Sequence, residues 1–129
     1  DDYAHHPTEI EATMKSVELY DNLTNFNNRI VLWQPHKYSR TSDNLEGFKK
    51  CFRRCDELII LPLWTVAGEK KIDIDFEKEF ASYNPIFADR VVSYKGKIEL
   101  IKDDKIIKTY DEGIFLGVGA GDITYQLRY

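Results

Sequence analysis

Two short stretches of this 129-residue chain carry side chains that could bind an anionic ligand. DDYAHHPTE at residues 1–9 places two acids, a tyrosine and two histidines directly before a helix that begins near Pro7. PHKYSR at residues 35–40 brings together His36, Lys37 and Arg40. A lysine and an arginine three residues apart can clamp a carboxylate, the arginine with two parallel hydrogen bonds. These residue types therefore favour anion binding.

The first stretch also has a plainer interpretation. Its acids could be solvated terminal charges, and His5 and His6 could be surface residues that precede a helix. In the functional interpretation, the free N–H groups of the helix start favour a carboxylate or phosphate, and a histidine donates to it. A metal site is disfavoured, because adjacent histidines with Asp2 do not make a recognisable ligand spacing.

Other chemical motifs are weak or absent. GVGAGD at residues 117–122 is a weak phosphate-loop signal, since glycine there more often allows close packing of a strand on a helix. No GxxxxGK[ST] motif occurs, so this chain has no P-loop apparatus of its own for ATP. Cys51 and Cys55 are four residues apart and would share one helical face. This is not the CxxC spacing of redox or zinc sites, so it indicates reduced thiols in the core.

The composition is that of one ordinary globular domain. Hydrophobic residues make up 43% and charged residues 31% of the chain. The net charge of -4 argues against a nucleic-acid partner. No apolar run approaches the roughly 20 residues that span a bilayer, and no signal peptide is visible. We therefore expect a cytoplasmic protein without a membrane partner.

Helices and strands alternate along the first part of the chain. Apolar residues at helical spacing predict a helix over residues 7–20, and a capping pair of Asp43 with Glu46 predicts another over 44–55. The apolar runs RIVLWQ, at Arg29–Gln34, and ELIILPL, at residues 57–63, predict buried strands. A short helix over 75–82, a short strand over 85–88 and a buried strand over 113–119 follow, and residues 122–129 are expected to begin a last helix.

Residues 90–111 differ from the rest, because β-branched residues alternate with turn signals at Lys95-Gly96 and Asp103-Asp104. They predict antiparallel ribbon. The expected fold is α/β: a Rossmann-like, open, mostly parallel sheet flanked by helices, with an antiparallel hairpin addition near the C-terminus. Ligands of such sheets bind outside the carboxyl ends of the strands, so the loops that follow them should share one edge. DDYAHH should join them, although the strand expected before it is not in this chain.

The ordered motifs DDYAHHPTEI, QPHKYSRT, AGEKKI and GVGAGD resemble the C-terminal domain of the Mur ligases, and specifically of the alanine-adding members. The resemblance covers residues 1 to about 122. It implies that residues 1–129 form one domain of a three-domain cytoplasmic enzyme. The other two domains, for the UDP-sugar and for ATP, would lie outside this chain.

The resemblance also implies a reaction in bacterial peptidoglycan synthesis. The carboxylate of UDP-N-acetylmuramate becomes an acyl phosphate at the expense of ATP, and the amine of L-alanine attacks it to give an amide, ADP and phosphate. ATP and Mg²⁺ would be held mainly by the central domain. This domain would close over the amino acid, bind no metal and be inactive alone.

Residue roles carry over by position in the motifs. Asp2 would contact the ATP ribose, Tyr3 would lie near the adenine, and His5 would face L-alanine. Lys37 and Arg40 would lie near the amino acid and the phosphoryl group. His6, Gln34 and His36 also match the motifs, as ligand contacts or as loop packing.

Two features depart from the family pattern. The family usually has HRYxR, so Lys37 replaces an arginine and keeps the charge without the planar fork. The family also commonly places a helix where residues 90–111 favour ribbon. Two rival functions remain open: a ligase that recycles a whole murein tripeptide, and a non-catalytic binding module of the same fold.

Overall fold

The computed structural model describes residues 6–24, 28–111 and 114–119. Within these ranges the strands are β1 (Arg29–Gln34), β2 (Glu57–Ile60), β3 (Ile86–Phe87), β4 (Arg90–Tyr94), β5 (Lys97–Lys102), β6 (Lys105–Tyr110) and β7 (Ile114–Gly119). The helices are α1 (Pro7–Thr24), α2 (Tyr38–Asp43), α3 (Leu45–Cys51) and α4 (Phe76–Glu79), and a 3-10 turn follows at Ala81–Tyr83. None of these helices combines the length and apolarity needed to cross a bilayer.

The central sheet is parallel, with the strand order β3-β2-β1-β7. β1 lies between β2 and β7, so that Val31 is opposite Leu58 on one side and Leu116 on the other. Parallel pairing places the carboxyl ends of β1, β2 and β7 at the same edge, as the sequence predicts. The continuous apolar runs suit strands that are covered on both faces.

The helices cover one face of this sheet. Alternate strand residues, among them Val31, Trp33 and Leu58, form a buried core with Ile10 and Met14 of α1. Trp33 is 1% exposed and lies at the centre of this core. Its ring centroid is 5.0 to 5.1 Å from those of Phe48, Phe52 and Phe80.

The opposite face is covered by a second sheet, which is antiparallel with the order β4-β5-β6. Ile30, Leu32 and Ile59 of the parallel strands pack there against Val91 and Leu100. Both turns of this sheet, Lys95-Gly96 and Asp103-Asp104, have positive φ at their central residues, as tight hairpin turns require. The predicted antiparallel ribbon is confirmed, and its three strands form a layer of their own over one face of the parallel sheet.

The predicted helix over residues 44–55 is shorter in the structure and is preceded by α2, which the sequence analysis missed. α3 ends at Cys51, and Arg54 then donates from Nε to Glu18 in α1 at 3.0 Å. The predicted capping pair is wrong: Asn44 is the N-cap of α3 and forms no side-chain cap. Its Nδ2 donates instead to the Arg40 carbonyl at 2.9 Å, which joins α3 to α2.

Other boundaries shift by a few residues. β2 ends at Ile60, three residues before the predicted end, because Pro62 has no N–H for the ladder. The predicted helix over 75–82 divides into α4, whose N-cap Asp75 accepts from Lys78 N at 3.1 Å, and the 3-10 turn. The helix predicted for residues 122–129 lies outside the described residues.

The two cysteines, at the last residue of α3 and four residues after it, are free thiols. Burial raises the pKa of the Cys51 thiol, and it raises the pKa of Cys55 to about 12. Both groups therefore stay protonated at neutral pH, in agreement with their expected role as core thiols.

Candidate functional site

The loops that follow β1 and β2 are joined at the carboxyl edge of the parallel sheet. His36 and Trp64 form an isolated parallel bridge just beyond the two strands. Lys37 N donates to the Trp64 carbonyl at 2.9 Å, and Trp64 N donates to the Pro35 carbonyl at 2.7 Å. The bridge extends the pairing of the sheet into the loop that carries the predicted cationic residues.

Lys37 begins α2 in an unusual backbone conformation. Its φ is 65° and its ψ is 135°, a region that residues with a side chain seldom occupy. Its carbonyl accepts from Thr41 N at 3.2 Å and from Thr41 Oγ1 at 2.9 Å, and Thr41 is fully buried. Contacts on both sides of Lys37 therefore hold a strained residue, as is common at binding sites.

Arg40 reaches back from the first turn of α2 to His36. Its Nη1 lies 3.3 Å from His36 Nδ1. A guanidinium can only donate, so His36 Nδ1 is the acceptor and the neutral ring carries its proton on Nε2. Of the predicted residues that the structure describes, these two are brought into direct contact, and both are partly exposed.

Glu69 ties the loop after β2 to the start of α2. Its Oε1 accepts from Ser39 N at 3.1 Å and lies 3.4 Å from Ser39 Oγ. Ser39 N belongs to the first turn of α2, where a backbone N–H has no partner inside the helix. Sequence reasoning noted the AGEKKI motif that contains Glu69 but assigned this residue no role.

Gln34 and Gly119 end the neighbouring strands β1 and β7 side by side. A Cβ on Gly119 would lie 2.0 Å from the Gln34 carbonyl oxygen, and the φ of Gly119 is 113°. Only glycine allows this close approach. Gln34 is 5% exposed, and its Nε2 donates to the Pro62 carbonyl at 3.2 Å, so this predicted residue has a packing role.

His6 lies at the start of α1 and is separate from the cationic loop. Its Nδ1 accepts from Thr8 N at 3.2 Å, as a helix cap does. A cavity of about 470 Å³ is lined by His6, Pro7 and Thr8 together with residues 42–47, and neither Lys37 nor Arg40 lines it. The structure thus gives His6 a capping role and does not bring it against Arg40.

A smaller cavity of about 280 Å³ lies beyond the carboxyl ends of β2 and β3. Its walls include Leu61, Phe76 and Phe87, with Lys102 at the rim. None of the residues predicted for the site lines it.

The amino edge of the same sheet carries a polar cluster whose members bind one another. Glu57 Oε1 accepts from Lys108 Nζ at 2.6 Å and from Tyr110 OH at 2.9 Å, and its Oε2 accepts from Asn28 Nδ2 at 3.2 Å. Burial alone raises the pKa of Glu57, but these hydrogen bonds outweigh it and hold the pKa of the carboxyl below its ordinary value. The cluster fastens β6 to β2.

Comparison with known proteins finds curated relatives that match nearly the whole chain. No family model matches it. A UDP-N-acetylmuramate–L-alanine ligase of Helicobacter pylori is 56% identical over 130 residues, which cover 99% of this chain and 29% of the relative. Enzymes of the same name from Campylobacter curvus and Campylobacter jejuni subsp. doylei are 49% and 38% identical over 99% of this chain. Over nearly its whole length the chain therefore matches one part of the Mur ligases.

The chain spans less than a third of the length of those curated relatives. A crystal structure of the UDP-N-acetylmuramate-alanine ligase of Thermotoga maritima matches 98% of the chain and 24% of its own, with a TM-score of 0.53 and 23% identity. The match supports the fold, including the parallel sheet that carries the loops described above.

Within this Mur ligase fold the predicted residues fall into three groups. His36, Lys37 and Arg40 lie together in the loop after β1, at the carboxyl edge. His6 caps α1. Asp2, Tyr3 and His5 lie outside the described residues, so their roles stay predictions.

Proposed function

We propose that this chain is the C-terminal, amino-acid-binding domain of a ligase that joins L-alanine to UDP-N-acetylmuramate with hydrolysis of ATP to ADP and phosphate. The observation that carries the proposal is the 56% identity to a ligase of this name over 99% of the chain. The placement of Lys37 and Arg40 at the carboxyl edge of the sheet agrees with it, because ligands of open parallel sheets bind there.

The side chains at this edge suit anions. Lys37 and Arg40 are cationic, and one oxygen of Glu69, the acid beside them, is already held by Ser39. They fit the carboxylate of L-alanine or the phosphoryl oxygens of the acyl phosphate. They do not fit Mg²⁺, which we assign with most of the ATP site to the central domain of the full-length enzyme.

In the reaction, the muramoyl carboxylate accepts the γ-phosphoryl group of ATP, and the amine of L-alanine then displaces phosphate to form the amide. Lys37 and Arg40 hold negative charge close to the reacting carbonyl, which lowers the barrier only when they are correctly placed. We further propose that Asp2 and Tyr3 meet the nucleotide and that His5 faces L-alanine. A cytoplasmic location, where these substrates occur, is part of the proposal.

The test uses the full-length gene product that contains this chain. Phosphate release is measured with ATP, Mg²⁺, UDP-N-acetylmuramate and L-alanine, and with each substrate omitted in turn. We expect turnover only with all of them and none from residues 1–129 alone. A preference for murein tripeptide over L-alanine would favour the recycling ligase, and absence of turnover with either would favour a non-catalytic module.

A further inference from the structure

Glu69 accepts a hydrogen bond from the start of α2. It comes from the loop after β2, thirty residues beyond its partner Ser39. Its Oε1 accepts from Ser39 N at 3.1 Å and lies close to Ser39 Oγ. A bond between two loops that are distant in sequence fixes their relative position more strongly than a cap within one loop does.

The contact lies between the two residues proposed to meet the substrate. Ser39 directly precedes Arg40 and is two residues beyond Lys37. With only six residues, α2 has little stability of its own. Its start is held on one side by the bond from Lys37 N to the Trp64 carbonyl, and on the other by Glu69.

The second oxygen of Glu69 also calls for an explanation. Glu69 Oε2 is buried and has no hydrogen-bond partner among the described residues. Leaving such an atom unpaired costs on the order of 1–3 kcal/mol, so a side chain chosen only for stability would satisfy it. The same pattern, with an unpaired buried oxygen, occurs at Gln34 on this edge.

We infer that Glu69 is a positioning residue for the amino-acid substrate: it holds the start of α2 so that Lys37 and Arg40 stay at the carboxyl edge. The inference rests on the proposed function. Glu69 acts through Ser39 and does not itself touch L-alanine. The oxygen that accepts from Ser39, Oε1, is the atom that matters, so an amide side chain, which also offers an oxygen acceptor, should preserve most of the effect.

The experiment compares three variants of the full-length ligase. Glu69→Ala removes the acceptor, Glu69→Gln keeps an oxygen acceptor for Ser39, and Glu57→Ala removes an acid with a purely structural network at the opposite edge. KM and kcat are measured for L-alanine and for ATP. In parallel, amide hydrogen exchange of the peptide that contains α2 is followed, with β1 as the internal reference.

For Glu69→Ala we expect the KM for L-alanine to rise at least ~10-fold while the KM for ATP changes less than ~3-fold, since misplacement affects only the cationic loop. Glu69→Gln should stay within ~3-fold of the wild type, and Glu57→Ala should leave both KM values unchanged. An unchanged KM for L-alanine in Glu69→Ala would overturn the inference, as would an equal rise for both substrates.

Hydrogen exchange separates failure of this inference from failure of the proposed function. If the wild-type ligase showed no turnover that depends on L-alanine, the proposed function would be wrong. Faster exchange confined to α2 in Glu69→Ala would still support the holding role of Glu69. Unchanged exchange of α2 would overturn that role whatever the enzyme does.

Discussion

The two edges of the parallel sheet use polar side chains in opposite ways. At the amino edge, Glu57 accepts three hydrogen bonds, and Arg29 donates to the Arg54 carbonyl at 2.9 Å. At the carboxyl edge, Gln34 and Glu69 each bury an oxygen for which the described residues supply no partner. The polar side chains of the amino edge therefore stabilise the fold, whereas the carboxyl edge keeps buried oxygens, unpaired among the described residues, that stability alone would not favour.

Backbone conformation shows the same difference. Lys37, at the carboxyl edge, has a φ of 65° and a ψ of 135° outside any hairpin. Asn84, which precedes β3 at the amino edge, also has positive φ, but its φ of 48° and ψ of 56° lie in the left-handed region that asparagine tolerates at the end of a helix. Strained residues persist only when surrounding contacts hold them, and the bonds of Lys37 to Trp64 and Thr41 supply those contacts. The carboxyl edge therefore carries backbone strain and buried oxygens left unpaired by the described part of the chain, which stability alone would not favour.

The largest effect should come from Gly119→Ala. Because the new Cβ would lie 2.0 Å from the Gln34 carbonyl oxygen, β1 and β7 must separate at the carboxyl edge. We expect the free energy of unfolding to fall by roughly 3 kcal/mol, measured by urea denaturation of the chain. Gly96→Ala is the control: it also has positive φ but meets no atom within 4 Å, so it should cost only about 1 kcal/mol. Equal losses would show that crowding against Gln34 is unimportant.

Glu57→Ala should destabilise the fold at the amino edge of the parallel sheet. Lys108 and Tyr110 lose their shared acceptor, and the free energy of unfolding should fall by about 2 kcal/mol. Denaturant unfolding measures the loss. Turnover per folded molecule of the full-length ligase should stay at the wild-type value, and a specific loss of activity would show that the two edges are not separate.

Glu57 also makes stability depend on pH. Its pKa is lower in the folded chain than in the unfolded one, so its contribution is complete above the ordinary pKa of glutamate and is lost as the pH falls through the folded-state pKa. Urea midpoints between about pH 7 and pH 3 should therefore fall more steeply for the wild type than for Glu57→Gln. Parallel curves would contradict the predicted role of this carboxylate.

Arg40→Ala should weaken substrate binding or catalysis at the carboxyl edge without changing the free energy of unfolding. In the full-length enzyme we expect a KM for L-alanine raised, or a kcat lowered, by at least ~10-fold, about the value of one charge-assisted contact. Arg53→Ala is a matched control, because Arg53 is exposed and pairs with Glu11 in the helix layer. Steady-state kinetics that did not distinguish the two variants would remove Arg40 from the site.

The smallest effect, and one of opposite sign, should come from Lys37→Gly. Glycine adopts positive φ without strain, so the free energy of unfolding should rise by about 0.5–1 kcal/mol after the cost of a more flexible unfolded chain. Denaturation of the chain measures the gain, and kcat/KM for L-alanine should fall several-fold as the charge is lost. Lys95→Gly, in an ordinary hairpin turn, should change neither quantity appreciably.

The element types were largely predictable, because their causes are local. β1 matched its predicted bounds, since an apolar run between asparagine and proline leaves few alternatives. The hairpin turns were predictable from Lys95-Gly96 and Asp103-Asp104 for the same reason. α2 was missed because YSRTSD has no apolar stripe, and its start is held by Glu69 from another loop.

The candidate site was predictable in part. Since parallel strands place their following loops at one edge, the sequence was sufficient to place His36, Lys37 and Arg40 at the carboxyl edge. It could not assign Glu69, because no local pattern links that residue to Ser39, thirty positions away. It also left open whether His6 binds a ligand or packs, and the contact with Thr8 N favours a cap.

The sequence was thus enough to predict the α/β class, the antiparallel ribbon and the position of the cationic loop. These follow from periodicity, turn residues and the order of the motifs, which are properties of neighbouring residues. Three features became visible only in the folded chain: the ribbon covers a face of the parallel sheet, Gly119 closely approaches Gln34, and Glu69 bonds to the start of α2. Those features depend on contacts between residues far apart in the chain, whose partners are chosen by packing and not by local preference.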